Sequence, residues 1–438
     1  SWPNGGASSG HEPAIQPDAG IIRRMDTILR PLTVLRGLAL ALLLLPALAL
    51  AQRTEYGVDY LVRFLPDKGQ ADVSIRLTPG TGEVRRLRLR MPEDRYSKVR
   101  GDGEVTRKGD IVTWVPPRGE PARLRFLHQI DHRRRDGGYD ARITADWALL
   151  RGDDLVPPAT VVATKGADSR ARLRFQLPKG WGNVDTPFKR SRDGKSFVVV
   201  NPERSFDRPT GWIIAGDVGT RREQFDNIEI SVAGPKGDEV RRNDMLAFFN
   251  VLVPQFEQLY GELPIKVLIV SAGDPMWRGG LSGPRSLFLH ADRPLISENG
   301  TSTLVHELSH VFTRLRGADG DDWITEAVAE YYSIELMRRA GLLSEARADK
   351  AQDWMAGHGK DVASLTSDRS HGPRTARGVK LLRELDAEIR KATKNKRSLD
   401  DLVRAVLPLR EVSREDLREQ AAELIGRPSK VLQSDVLD

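Results

Sequence analysis

His306, Glu307 and His310 stand in the order His-Glu-Leu-Ser-His, two imidazoles four residues apart with a carboxylate between them. On an α-helix, positions i and i+4 share one face, so both rings can reach a single metal ion. Glu307 then projects beside the same ion, where a carboxylate that does not ligate can take a proton from a metal-activated water. Neutral imidazole suits zinc, and the chain has only eight histidines to place this way by chance. The competing reading is a solvated helix face that happens to carry two histidines.

Two histidines leave such a site incomplete, because a catalytic zinc usually has three protein ligands and an open position for water. The segment Trp323-Ile324-Thr325-Glu326-Ala327-Val328-Ala329-Glu330-Tyr331-Tyr332 supplies the third. A helix–loop–helix hairpin of this length can return Glu326 to the side of His306 and His310. Glu330, one turn further on the same face, is placed to hydrogen-bond a ligating histidine. An apolar, aromatic-rich helix with two acids on one face fits a buried metal site better than a pair of surface carboxylates.

These residues need a helical frame, and the sequence around them predicts one. The first motif helix spans about Ser302–Leu315, and the loop Gly317–Asp322 leads to a second helix, Trp323–Ala340. Upstream, Leu246, Phe249, Val253, Phe256 and Tyr260 recur at helical spacing with Pro254 among them and Gly261 as the stop. Ile265–Val270 and Ser286–His290 read as short buried strands, separated by the glycine-rich Gly279–Arg285. Further helices are expected over Ser344–Met355, Arg377–Ala392, Leu399–Val406 and Arg414–Ile425. Ser398 and Ser413 each have an aspartate three residues on, a capping-box-like start.

From Thr54 to Val232 the pattern is different: short alternating or β-branched runs bounded by Gly, Pro, Asp and Asn clusters. Tyr56–Phe64, Ala71–Leu77, Val84–Met91, Ile111–Val115, Ala122–Ile130, Ala171–Leu177, Phe197–Val200, Gly211–Gly216 and Ile228–Val232 are the expected strands. The fold class is therefore α+β. An N-terminal antiparallel β-sandwich or saddle domain (52–233) precedes the metal-site domain (234–343), and a helical C-terminal region (344–438) follows.

Composition narrows the function. With no cysteine, disulfides and zinc–thiolate clusters are excluded, and histidine and carboxylate remain as the zinc ligands. The net charge of +7 invites a nucleic-acid reading. Against it, Arg85-Arg86-Leu87-Arg88-Leu89-Arg90 alternates as a half-solvated strand does, and no stacking aromatics interleave with it. Met25 opens a run with Arg30 and Arg36, an apolar stretch Leu38–Leu50, and the small-residue end Ala49-Leu50-Ala51. That is the pattern of a secretory signal peptide over 25–51, cleaved after Ala51, with 1–24 as upstream sequence. The apolar stretch falls short of the ~18–20 residues a membrane anchor needs. The expectation is an exported protein, periplasmic or secreted, with no stable membrane anchor and no nucleic-acid partner.

The motif helix followed by Trp323-x-x-Glu326-x-x-Ala329-x-Tyr331-Tyr332 resembles the gluzincin metallopeptidases, and within them the glycyl aminopeptidase family. The resemblance extends upstream to Phe206-Asp207-Arg208-Pro209-Thr210-Gly211-Trp212. Downstream it extends to Leu385-Asp386-x-x-Ile389-Arg390 and Arg397-Ser398-Leu399-Asp400-Asp401. It implies an N-terminal β-domain, a thermolysin-like zinc peptidase domain and a helical C-terminal part. It also implies zinc held by His306, His310 and Glu326, Glu307 as general base, and a peptide or protein substrate.

Two departures from that family bear on the site. A tyrosine that donates to the oxyanion in the relatives is matched here by Thr375, in Thr375-Ala376-Arg377-Gly378. Threonine is too short to reach the same point, so His371 and Arg374 are the other candidates for that region. The relatives' amino-binding glutamate is missing from Gly280-Leu281-Ser282-Gly283-Pro284. Aminopeptidase and endopeptidase specificity thus both stay open. A second class of function also stays open: a zinc-binding, weakly active homologue serving as a binding or scaffold module. The oligomeric state is not legible.

Overall fold

Alternating side chains build the first half of the chain in the computed structural model, which describes residues 54–201 and 206–437. The expected signal peptide and the segment before it lie outside the described residues. The strands β1 (Glu55–Leu65), β2 (Gln70–Thr78), β3 (Val84–Arg90), β4 (Tyr96–Gly101) and β5 (Glu104–Lys108) come first. Then follow β6 (Ile111–Val115), β7 (Ala122–Gln129), β8 (His132–Arg133), β9 (Tyr139–Ile143) and β10 (Trp147–Arg151). A one-turn helix α1 (Gly152–Leu155) precedes β11 (Ala159–Ala163), β12 (Asp168–Gln176), β13 (Asn183–Asp185), β14 (Phe197–Val199) and β15 (Trp212–Gly216).

These strands form three sheets, ordered β14-β12-β1-β2-β7-β4, β11-β3-β6-β5 and β13-β15-β10-β9-β8. The period-two pattern explains their packing. Tyr56, Val58, Tyr60, Val62 and Phe64 of β1 all face inward, and they share a core with Leu87, Leu89 and Trp114 of the second sheet. Each such side chain contributes about 1.5–3 kcal/mol by leaving water. One pairing differs from the antiparallel expectation: β1 and β12 run parallel, Glu55 beside Asp168 through Arg63 beside Gln176. A parallel pair needs a long crossover, and the whole of β2 to β11 supplies it.

The second half starts with β16 (Val218–Phe225) and β17 (Ile228–Pro235), then α2 (Arg242–Tyr260), β18 (Lys266–Ala272), β19 (Gly280–Gly283) and β20 (Ser286–His290). The motif helix α3 (Thr303–Thr313), β21 (Arg316–Gly317) and α4 (Asp322–Arg339) complete the frame of the site. The sheet order is β16-β17-β18-β20-β19. Its three central strands are parallel, and β16 and β19 are antiparallel edges. Every residue of β18 and β20 is buried, and the apolar runs Val267–Val270 and Leu287–Leu289 form their centres. The sequence sets the change of architecture at Gly234, but β17 runs through that point. The sheet under the site therefore begins at Val218, in a polar strand that the alternation did not disclose.

The remainder is helical: α5 (Glu345–His358), α6 (Pro373–Thr393), α7 (Leu399–Val406) and α8 (Arg414–Ile425). The capping boxes expected at Ser398 and Ser413 are both formed, each with its aspartate returning to the serine backbone. A short strand β22 (Glu411–Val412) pairs with β21, so the C-terminal helices are tied to the loop between α3 and α4. The two halves share a third core in which Leu149, Trp212 and Ile214 meet Leu268, Val270 and Phe288. No helix among the described residues is long and apolar enough to cross a membrane.

Candidate metal centre

Ser302 starts the motif helix by accepting a hydrogen bond from Val305 N at 3.3 Å, and Arg314 ends it in a left-handed conformation with φ 53°. Leu304, Val305, Leu308, Val311 and Phe312 anchor α3 in the core, leaving the His306–His310 face half-buried. Helix α4 packs beside it, held by fully buried Trp323 and Tyr332. From behind, α6 approaches α4 closely at Gly378, where a Cβ would stand 2.6 Å from that of Ala327. Only glycine permits that approach.

The hairpin brings three side chains to one point. His306 Nε2 and His310 Nε2 are 3.1 Å apart, and the Glu326 carboxylate lies 3.4 Å from the first and 3.3 Å from the second. Ligands at zinc bond lengths in a tetrahedron stand about 3.3 Å from one another. The two-His, one-Glu set thus fits zinc in donor chemistry and in spacing. Among the described residues it is the one group of three such side chains close enough to share an ion.

Glu330 completes the arrangement. Its Oε2 lies 2.7 Å from His306 Nδ1. A carboxylate accepts, so Nδ1 carries the proton and Nε2 turns its lone pair toward the metal point. Burial disfavours a charged His306, yet Glu326 and Glu330 outweigh it and hold the imidazole well above its ordinary range. Burial likewise acts to raise Glu326, but hydrogen bonds with His306 and His310 keep it far below the usual carboxylate range. Metal binding there displaces a proton from the ligand set.

Glu307 is buried on the flank of the same helix, 8% exposed, against the edge strand β19. A Cβ on Gly280 would come 2.8 Å from Glu307 Cγ and 3.0 Å from its Oε1. The bare backbone of Gly280 therefore makes the room that the carboxylate occupies. Strand β19 is itself fixed from the first half, where Trp212 Nε1 donates to Leu281 O at 2.9 Å and Trp212 N to Ser286 Oγ at 2.8 Å. Sequence reasoning read Gly279–Arg285 as a glycine-rich segment between two strands and missed this demand on Gly280. The cluster of glycines was the available signal.

The candidates for the oxyanion region are not drawn into this group. His371 is exposed. Arg374 is engaged by Ser364 O at 3.4 Å and Ser367 Oγ at 3.3 Å. Thr375 is buried in the first turn of α6 with its hydroxyl unpartnered. The helix begins at Pro373, four residues before the periodicity places it, because proline suits its first turn.

No protein-family model matches the chain, and no curated protein matches it. Solved structures do. An aminopeptidase N family protein from Idiomarina loihiensis superposes with a TM-score of 0.60 at 13% identity, over 86% of this chain and 72% of that one. A mutant M1 zinc metallopeptidase from Deinococcus radiodurans gives 0.55 at 16% identity, over 87% of this chain and 92% of that one. This chain shares the fold of these two structures. With 86% and 87% of the chain superposed, the likeness takes in both halves. At this identity it is a likeness of fold.

Proposed function

We propose that the chain is an exported zinc metallopeptidase that hydrolyses peptide bonds. The convergence of His306, His310 and Glu326 at zinc spacing, with Glu307 beside them, carries the reading. Bound there, zinc would activate a water and polarise the peptide carbonyl. Glu307 takes the proton of the attacking water and hands it to the leaving amine, and its burial against Gly280 keeps the carboxylate oriented for both transfers. Glu330 orients His306 through Nδ1. Strand β19, an antiparallel edge beside Glu307, offers backbone for an extended substrate to pair with.

With Thr375 where the relatives carry tyrosine, the enzyme lacks that tyrosine's oxyanion donor. That loss typically lowers turnover by about 100- to 1000-fold. The alternative, a zinc-binding scaffold without turnover, is disfavoured by Glu307, a base kept between two ligands. The test is zinc-loaded protein against a mixed peptide library, read by mass spectrometry. Cleavage products support the peptidase, and their termini separate aminopeptidase from endopeptidase. Intact peptides throughout would leave the scaffold reading.

A further inference from the structure

The segment Arg85-Arg86-Leu87-Arg88-Leu89-Arg90 takes no part in the metal site, and β3 shows what its alternation builds. Leu87 and Leu89 are buried, while Arg86, Arg88 and Arg90 are exposed on the outer face of the β11-β3-β6-β5 sheet. Alternate residues of a strand stand about 6.8 Å apart, so the three side chains form one row. The register extends that row sideways. Arg90 lies opposite Ile111 on β6, and Ile111 lies opposite Lys108 on β5, so a fourth exposed cation stands two strands away.

No carboxylate neutralises these four. Among the described residues, Arg86, Arg88, Arg90 and Lys108 make no ion pair, and the one acid on this face, Glu104, sits at its corner beyond Val115. The six-stranded sheet of the same half is the contrast. There Arg63 and Arg125 pair with Asp72 at 2.7 and 3.0 Å, Arg170 with Glu55 at 2.6 Å and Arg174 with Asp59 at 2.7 Å. A face that serves only solubility mixes the two signs in this way.

The rest of the face points to the partner. Arg86 stands beside Val162, and Arg88 between Thr160 and Thr113. Val115 and Val162 are 37% and 40% exposed. The one aromatic residue of these four strands, Trp114, is buried in the core. Nucleic-acid bases are held by stacking on aromatic side chains, and this face has none to offer. Guanidinium groups grip phosphate through a planar fork, and their stems, with short aliphatic neighbours, suit the boundary between headgroups and acyl chains.

We propose that the outer face of the β11-β3-β6-β5 sheet docks the protein reversibly on a bilayer that carries anionic phospholipid, with Arg86, Arg88 and Arg90 on the lipid phosphates. The contact uses no residue of the metal site, so it stands apart from the peptidase reading.

The test is co-sedimentation of the full chain with vesicles of equal parts phosphatidylglycerol and phosphatidylcholine, against vesicles of phosphatidylcholine alone. The mixed vesicles should take up the protein, added salt should release it, and the neutral vesicles should leave it in solution. A cation close to an anionic surface adds roughly fivefold to partitioning, so Arg86→Gln, Arg88→Gln and Arg90→Gln together should lower binding about 100-fold. Arg88→Gln alone, with a loss of about fivefold, serves if the triple variant does not fold. Arg63→Gln, Arg125→Gln and Arg174→Gln remove the same net charge from the paired sheet and should lower binding far less. Equal losses in the two triple variants would reduce the effect to net charge and overturn the proposal. Equal uptake by both kinds of vesicle, or tighter binding to duplex DNA than to the mixed vesicles, would overturn it as well.

Discussion

Glu330 Oε2 and His306 Nδ1 are 2.7 Å apart, while the other nitrogen of the same ring faces Glu326 at 3.4 Å. One carboxylate on α4 thus orients a ring whose far side another carboxylate, one turn earlier on the same helix, helps turn into a metal point. Replacing the acid by its amide keeps the shape and weakens the acceptor. Glu330→Gln should therefore weaken zinc binding about 10- to 100-fold, the usual effect of losing such a partner. Competition with a chromogenic chelator measures it. Unchanged affinity would make Glu330 a bystander.

Gly280 should tolerate no side chain for a reason separate from metal binding. Its missing Cβ is what leaves space for Glu307. Gly280→Ala should displace the carboxylate and lower kcat by roughly 100-fold, the scale at which a misplacement of about 1 Å acts. Zinc content should stay at the wild-type level, since the atoms nearest a Cβ at Gly280 belong to Thr303 and Glu307 and not to the three ligands. Normal turnover in Gly280→Ala, with zinc bound, would show that the carboxylate adapts freely.

The first half carries its own acid sensitivity at His128. The ring is fully buried between β2 and β4, its centroid 5.0 Å from that of Tyr96. Burial, and next the charge of Arg95, pushes its pKa from 6.5 down to about 3. Between those values the unfolded chain holds a proton that the folded protein excludes, so stability is complete above 6.5 and is lost as the pH falls. The slope is about 1.4 kcal/mol per pH unit for one such group. Urea unfolding at pH 4, 5 and 6 should show His128→Phe losing less stability per pH unit than the wild type by about that amount. Parallel losses in the two proteins would assign the acid sensitivity elsewhere.

Much of the site could be read from the chain because its logic is local. The i, i+4 histidines, Glu326 and Glu330 all sit on two neighbouring helices whose faces follow from a 3.6-residue period. Strands β18 and β20 were legible because burial on both faces leaves them apolar runs at their centres, Val267–Val270 and Leu287–Leu289. Strands such as β5 and β16 were not, because their polar, mostly solvent-facing residues show little apolar alternation. The parallel β1–β12 pairing joins segments far apart in the chain, and no local pattern encodes such a partner. The demand on Gly280 was hidden in the same way, since it comes from a carboxylate on another element. Thr375 stands out in the sequence against the relatives' tyrosine, but its burial in the first turn of α6 depends on where that helix begins.

Glu307→Gln tests the central claim most directly, with turnover on a cleaved peptide and zinc content measured on the same sample. The amide keeps the size of the side chain beside Gly280 and removes its capacity to accept a proton. A general base contributes about 100- to 10,000-fold, so kcat should fall by that order while zinc remains bound at wild-type stoichiometry. Peptide cleavage at the wild-type rate by zinc-loaded Glu307→Gln would contradict the account.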